Sequence, residues 1–68
     1  MNYSDHRFQK LIATKRSVSS CSNVIMLQTV LSAYKQALKV GDFQDIILHQ
    51  AEIILYEKRL NRLKRGNS

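Results

Sequence analysis

Apolar residues recur every three or four positions along two long stretches of the chain, the spacing that aligns side chains on one face of an α-helix. The first stretch predicts a helix from Ser22 to Val40, with Ser22 or Asn23 as its N-cap. Its broad apolar face consists of two rows: Val24, Leu27, Leu31, Tyr34 and Leu38, and beside them Met26, Val30, Ala33 and Ala37.

The second stretch predicts a helix from Asp42 to about Lys64 that is apolar nearly all the way round. Two of its apolar rows would suffice to cover the first helix, yet Leu48 and Leu55 lie on a third side, near Glu52. A helix with this pattern is normally enclosed by protein. Its isoleucine runs could also suggest strands, but the helical spacing continues beyond both runs and no turn residues separate them, which favours the helix.

The break between the two helices is predicted at Gly41, in a chain that has only two glycines and no proline. Glycine just past a helix end accepts the left-handed conformation that closes the last turn. Asp42 follows at once and is predicted to cap the next helix. A connection this short predicts that the two helices form an antiparallel hairpin.

The N-terminal part predicts a short helix from Asp5 to about Lys15, with Phe8, Leu11 and Ile12 on one face, followed by a serine-rich loop. The fold class is therefore all-α. We expect one small helical domain over residues 1–68, in which 1–21 hold the short helix and loop, 22–65 the hairpin and 66–68 a frayed tail.

A two-helix hairpin has no enclosed interior, so part of its apolar surface is expected to lie exposed and to mark an interface. We therefore expect the hairpin to be completed by self-association or by a helical partner protein. The expected partner contacts are Met26, Leu27, Leu48, Leu55 and Tyr56.

The formal net charge is +6, and basic residues concentrate near the C-terminus. This basic patch consists of Lys58, Arg59, Arg62, Lys64 and Arg65, and a second cluster of Arg7, Lys10, Lys15 and Arg16 could join it in space. One interpretation is solvated charge that complements a helix end. The other is a surface for phosphate or for an acidic partner. The alternative function is therefore a small basic helical dimer that binds DNA or RNA electrostatically.

No pattern in the chain predicts catalysis, and we expect neither an enzyme, a cofactor nor a metal site. His6 and His49 lack neighbouring ligand sets, although His49 could pair with Asp45 four residues before it. Cys21 is the single cysteine, so an intramolecular disulfide is excluded and a disulfide-linked dimer stays open. The lack of disulfide staples favours a cytoplasmic location, and no apolar run is long enough to predict a membrane span.

The segment LQTVLSAYKQALKVGDFQDIILHQAEIILYEKRL, within residues 24–60, resembles the small YscE-like co-chaperones of type III secretion needle subunits in its apolar spacing and its turn at Gly41. Those proteins are short cytosolic helical hairpins that hold a needle subunit together with a larger helical-repeat chaperone. The resemblance implies a co-chaperone. From the residues themselves we expect a non-enzymatic protein-interaction module, either a co-chaperone or a regulator of another protein.

Overall fold

The computed structural model describes residues 3–66, which form three α-helices and, within that range, no strand. Helix α1 spans Tyr3–Ser20, α2 spans Val24–Val40 and α3 spans Ile46–Gly66. The predicted all-α class is confirmed. Helix α3 packs against both of the others and is the central element. The radius of gyration of 12.7 Å exceeds the roughly 11 Å typical of a compact chain of this length, so the arrangement is open.

Helix α1 is longer than the sequence predicts. The short helix was expected to end near Lys15 with a serine-rich loop after it, but the helix continues through Ser20. Val18, in the middle of the serines, is buried in the core, and Arg59 of α3 donates a hydrogen bond to the Cys21 carbonyl oxygen (3.0 Å) just beyond the helix end. These tertiary contacts outweigh the weak helix preference of serine, and the loop prediction is wrong for 17–20.

The ends of α2 are defined by two local contacts. The Asn23 side chain accepts a hydrogen bond from the Met26 backbone N–H (3.1 Å), which confirms one of the two predicted N-caps. Gly41 has φ 78° and ψ 19°, the left-handed conformation predicted from its position. The Asp42 backbone N–H then donates to the Ala37 carbonyl oxygen (2.8 Å) and closes the last turn.

Helix α3 begins four residues later than predicted, and Asp45 caps it instead of Asp42. One carboxylate oxygen of Asp45 accepts the backbone N–H groups of Ile47 (3.1 Å) and Leu48 (3.3 Å). The same carboxylate binds the Arg7 guanidinium of α1, with Nε to Oδ2 at 2.7 Å. Asp45 thus gains a cap and an ion pair at once, whereas Asp42 remains exposed in the linker. At the other end α3 continues to Gly66, and residues 67 and 68 of the predicted tail lie outside the described residues.

Three polar contacts fix the register of α1 against α3. Arg7 meets Asp45, Thr14 donates to Glu52 (Oγ1 to Oε2, 2.6 Å), and the Cys21 carbonyl accepts from Arg59. Each pair is separated by 38 residues, and successive pairs are seven residues apart on both elements. Equal steps in the same order mean that α1 runs parallel to α3, with Ser20 at the end of α1 level with Lys58 of α3.

The hydrophobic core lies where the three helices meet. Its buried members are Val18, Leu27, Leu31, Ile53 and Leu60, and Cys21, Val24, Tyr34, Leu38, Tyr56 and Leu63 pack around them. Between α2 and α3, the Tyr34 ring stacks on His49 with ring centres 4.9 Å apart and meets Tyr56 at 5.4 Å. From α2 this core uses the first predicted apolar row, whereas Met26 of the second row is exposed, and α1 is added through Val18.

Candidate functional site

A groove of about 720 Å³ lies between the C-terminal halves of α1 and α3. We call it the basic groove. It is lined by Lys15, Val18, Ser19, Leu55, Lys58, Arg59, Asn61, Arg62 and Arg65. Five of these nine residues are cationic, out of eleven lysines and arginines in the whole chain. No acidic residue of the described chain lines it.

The groove exists because α1 and α3 are parallel. Each α1 residue lies level with the α3 residue 38 positions later, so Lys15 is level with Ile53 and Ile54. Lys58 follows in the next turn of α3, and both lysines line the groove. Of the predicted second cluster, Lys15 lines the groove together with the basic patch, whereas Lys10 and Arg16 do not line it. Arg7 does not join it, because its guanidinium binds Asp45 at the opposite end of α1. Lys64, a member of the predicted patch, does not line the groove.

Part of this positive charge complements the helix ends. The C-terminus of α1 lies level with Lys58, in the C-terminal half of α3, and the negative ends of the two helix dipoles favour nearby cations. Arg59 performs this task directly, since its Nε donates to the Cys21 carbonyl oxygen. Lys15, Lys58 and Arg62 instead line the groove, and none of the three forms an ion pair with another described residue. A direct hydrogen bond to a helix end is therefore shown for Arg59, whereas the other three cations line the groove.

An exposed apolar surface adjoins the groove on the same side of the molecule. Along α3, a seam with spacings of four and three consists of the half-buried Ala51 and the exposed residues Ile47, Ile54, Lys58, Asn61 and Arg65. Ile47 is 57% exposed and Ile54 51% exposed. The seam is thus apolar in the N-terminal half of α3 and polar or cationic in its C-terminal half, where it joins the groove.

Helix α1 extends this apolar surface. Phe8 is seven residues before Lys15, and residues seven apart share a helix face. The 38-residue offset places Phe8 level with Ile46, next to the start of the seam. The Phe8 side chain is 64% exposed. We call Phe8, Ile47, Ala51 and Ile54 the apolar face. It is the exposed N-terminal continuation of the basic groove.

The residues expected to contact a partner are distributed differently. Leu27 and Leu48 are only 2% and 7% exposed, so in this conformation they pack inside the chain. The prediction for Leu48 assumed that the N-terminal helix leaves that side of α3 open, whereas α1 packs along it, with the Arg7–Asp45 and Thr14–Glu52 contacts on either side of Leu48. Leu55 lines the basic groove, Tyr56 is half-buried against the core, and Met26 is exposed on α2. Their role in partner binding stays a prediction.

Glu52 lies buried between the helices with 6% exposure. It accepts the Thr14 hydroxyl, and the phenols of Tyr34 and Tyr56 lie near it. Burial raises the pKa of Tyr34 and of Tyr56 above the usual value of about 10, and the Glu52 carboxylate raises both pKa values further. This cluster joins all three helices in the interior.

His49 and Cys21, the other side chains considered for chemistry, do not belong to a catalytic or metal-binding cluster among the described residues. His49 Nε2 lies 2.7 Å from the Tyr34 carbonyl oxygen, which can only accept, so Nε2 carries the proton. Cys21 is a free, half-buried thiol whose sulfur lies 3.9 Å from that of Met26. Among residues 3–66, no three histidine, cysteine or acidic side chains cluster as a metal site. None of the described helices combines the length and apolarity needed to cross a bilayer.

Comparison with known proteins gives no relative: no protein-family model, no curated protein and no solved structure matches this chain. The functional argument therefore rests on the geometry of the apolar face and the basic groove. The sequence reasoning missed Phe8, Ile47 and Ile54 as surface residues. The spacing of the α3 seam would have revealed two of them, because its steps of four and three continue unbroken from Ile47 to Arg65.

Proposed function

We propose that the chain is a non-enzymatic protein-interaction module that buries the apolar face against a helix of a partner protein. The carrying observation is the exposure of Phe8, Ile47 and Ile54 on one side of a parallel helix pair. A contiguous group of large apolar side chains on a surface usually marks an interaction site, whereas single exposed apolar residues do not. A groove between two parallel helices accepts a further helix, whose apolar residues pack between them.

The proposal includes the arrangement of α2 and α3 as an antiparallel hairpin that turns at Gly41. Contacts of Tyr34 with His49 and Tyr56, and the ion pair of Lys35 with Glu57 (3.4 Å), support close packing of the two helices. A hairpin held in this way presents α3 as a fixed platform, with α1 along one side. In the cytoplasm such a platform suits a co-chaperone or a regulator, and the resemblance to YscE-like co-chaperones points the same way.

The test places a charge in the proposed interface. Ile54→Asp puts a carboxylate where an apolar contact is expected, and an unpaired buried charge is strongly unfavourable. Ile25→Asp is the matched control, because Ile25 is also an exposed isoleucine but lies on α2. Tagged wild-type protein, Ile54→Asp and Ile25→Asp are used to capture partners from native lysate, and the captured complexes are weighed by native mass spectrometry.

We expect the wild type and Ile25→Asp to form the same complex and Ile54→Asp to lose it. Both variants are first checked by circular dichroism, so that loss of fold is not taken for loss of binding. Equal capture by all three proteins would refute the proposal. A complex that contains only copies of this chain, and that Ile54→Asp dissolves, would place self-association on the same face.

A second candidate function is electrostatic binding of DNA or RNA through the basic groove, favoured by its five cationic side chains. Affinity for duplex DNA would then fall with salt, with a log–log slope of about −0.9 for each phosphate neutralised. This candidate leaves the apolar face uncovered. It also lacks aromatic side chains in the groove, on which single-stranded bases would stack. The geometry therefore favours the protein partner.

A further inference from the structure

We infer that the partner segment is an amphipathic helix with an apolar half and an acidic half, whose carboxylates lie in the basic groove. This inference rests on the proposed function and specifies the partner's chemistry. Lys15 of α1 and Lys58 and Arg62 of α3 are the side chains that would receive the carboxylates, because all three line the groove.

The elongated shape of the surface fits a partner helix. The α3 seam runs from Ile47 to Arg65 along one side of α3, and a second helix can pack lengthwise on such a surface. A partner helix alongside it would follow the seam over about five turns. The exposed side chains of the seam change from apolar to polar and cationic at Lys58. A complementary helix must change its character at the same level.

Charge identifies the polar half of the partner as acidic. The five acidic residues of the chain are Asp5, Asp42, Asp45, Glu52 and Glu57, and none of them lines the groove. Apposed charges of opposite sign give an interface specificity and faster association, whereas like charges are excluded. A partner helix with glutamates or aspartates at this level would supply carboxylates to Lys15, Lys58 and Arg62.

The groove also fits side chains better than it fits a bare phosphate chain. Val18 and Leu55 line it among the cations, so its wall is apolar in part. The methylene groups of a glutamate can pack on such a wall while its carboxylate meets Lys58 or Arg62. Nucleic acid would leave these aliphatic groups and the adjoining apolar face in contact with water.

The first test uses three labelled probes and the intact wild-type protein. The acidic probe is a synthetic helical peptide of about 18 residues, enough for about five turns, with leucines on one half and glutamates on the same face of the other half. The neutral probe carries glutamine at each glutamate. The third probe is a duplex DNA of matching length. Fluorescence anisotropy measures each dissociation constant at low and at physiological salt.

We expect the acidic peptide to bind about tenfold more tightly than the neutral peptide at low salt, a difference of about 1.4 kcal/mol. The difference should narrow as salt rises, because exposed ion pairs are screened. If the wild type bound the two peptides with equal affinity and Ile54→Asp bound neither, the preference for an acidic partner would be refuted and the proposed function would be retained. Tighter binding of DNA than of the acidic peptide overturns the inference, and binding of neither peptide overturns both proposals.

The second test compares two triple variants of the protein that have the same net charge as each other. The triple variant Lys15→Gln, Lys58→Gln, Arg62→Gln removes three groove cations, and its matched control is Lys10→Gln, Arg16→Gln, Lys39→Gln, whose sites do not line the groove. Arg59 is kept in both, because it also holds the end of α1. We expect the groove variant to bind both peptides equally, and the control to keep the preference. If both triple variants lost the preference for the acidic peptide equally, the preference would depend on net charge alone and the inference would be refuted.

Discussion

Replacement of Thr14 by valine tests whether the buried Glu52 carboxylate holds α1 on α3. The Thr14 hydroxyl donates to Glu52 at 2.6 Å, and Glu52 is almost fully buried. Valine keeps the shape of threonine and removes the donor, so the carboxylate loses a partner in the interior. A hydrogen bond to a charged group contributes about 1.5–3 kcal/mol. Thr14 is itself only half-buried, so water can replace part of the bond, and we expect a loss of about 1.5–2 kcal/mol.

This loss is large for a chain of this size. A domain of 68 residues has a total stability of about 3–10 kcal/mol. Each kcal/mol lost lowers the melting temperature by roughly 4–8 °C, so we expect a decrease of at least about 6 °C. Thermal and urea unfolding followed by circular dichroism at neutral pH measure both quantities.

The matched control is Thr29→Val on α2. Thr29 is exposed, and its hydroxyl donates to the Ile25 carbonyl oxygen of its own helix, so the substitution should change stability by less than about 0.5 kcal/mol. A double-mutant cycle with Glu52→Gln isolates the pair, because an uncharged acceptor should make the valine substitution less costly. If Thr14→Val were as mild as Thr29→Val, the contact would not hold α1 on α3.

Four further predictions follow from the same contacts. Gly41→Val should cost about 1–2 kcal/mol through backbone strain alone, because nothing lies within 4 Å of an added Cβ; the control Gly66→Ala should be neutral, and equal melting of both variants would contradict the observed turn. Arg59→Gln should lower the free energy of unfolding by about 1 kcal/mol and speed hydrogen exchange of the amides at the end of α1. Unchanged exchange at these amides would contradict the Arg59 bond to the Cys21 carbonyl oxygen. Tyr34 and Tyr56 should ionise above pH 10 in an ultraviolet titration. Because their pKa values are higher in the folded than in the unfolded chain, their contribution to stability is complete below pH 10 and is lost as the pH rises further. Ionisation of both tyrosines at the ordinary pH of about 10 would contradict their burial. The isolated chain should not be a stable monomer at micromolar concentration, since its apolar face is exposed, and a monodisperse monomer with a cooperative melt in sedimentation and calorimetry would refute that expectation.

The sequence predicted those features that depend on local chemistry. Periodicity located all three helices, the Asn23 side chain caps α2, and Gly41 ends that helix with positive φ. Each of these follows from residues within about one turn, so a single segment contains the necessary information.

The features that the sequence did not predict depend on contacts between segments. Ser17–Ser20 are helical because Val18 is buried and because Arg59, far along the chain, binds the carbonyl oxygen that follows them. Asp45 caps α3 in part because Arg7 of α1 binds the same carboxylate. The basic groove likewise needs the parallel register of α1 and α3. That register depends on three pairs 38 residues apart, which no local pattern reveals.

The most direct test of the central claim is a backbone amide NMR titration of the labelled wild-type protein with the acidic helical peptide. The account predicts that chemical shifts change along one side of the helix pair, at Phe8 and Lys15 of α1 and at Ile54, Lys58 and Arg62 of α3, while α2 changes little. Changes centred on the exposed apolar residues of α2, which are Ile25, Met26 and Val40, would contradict it.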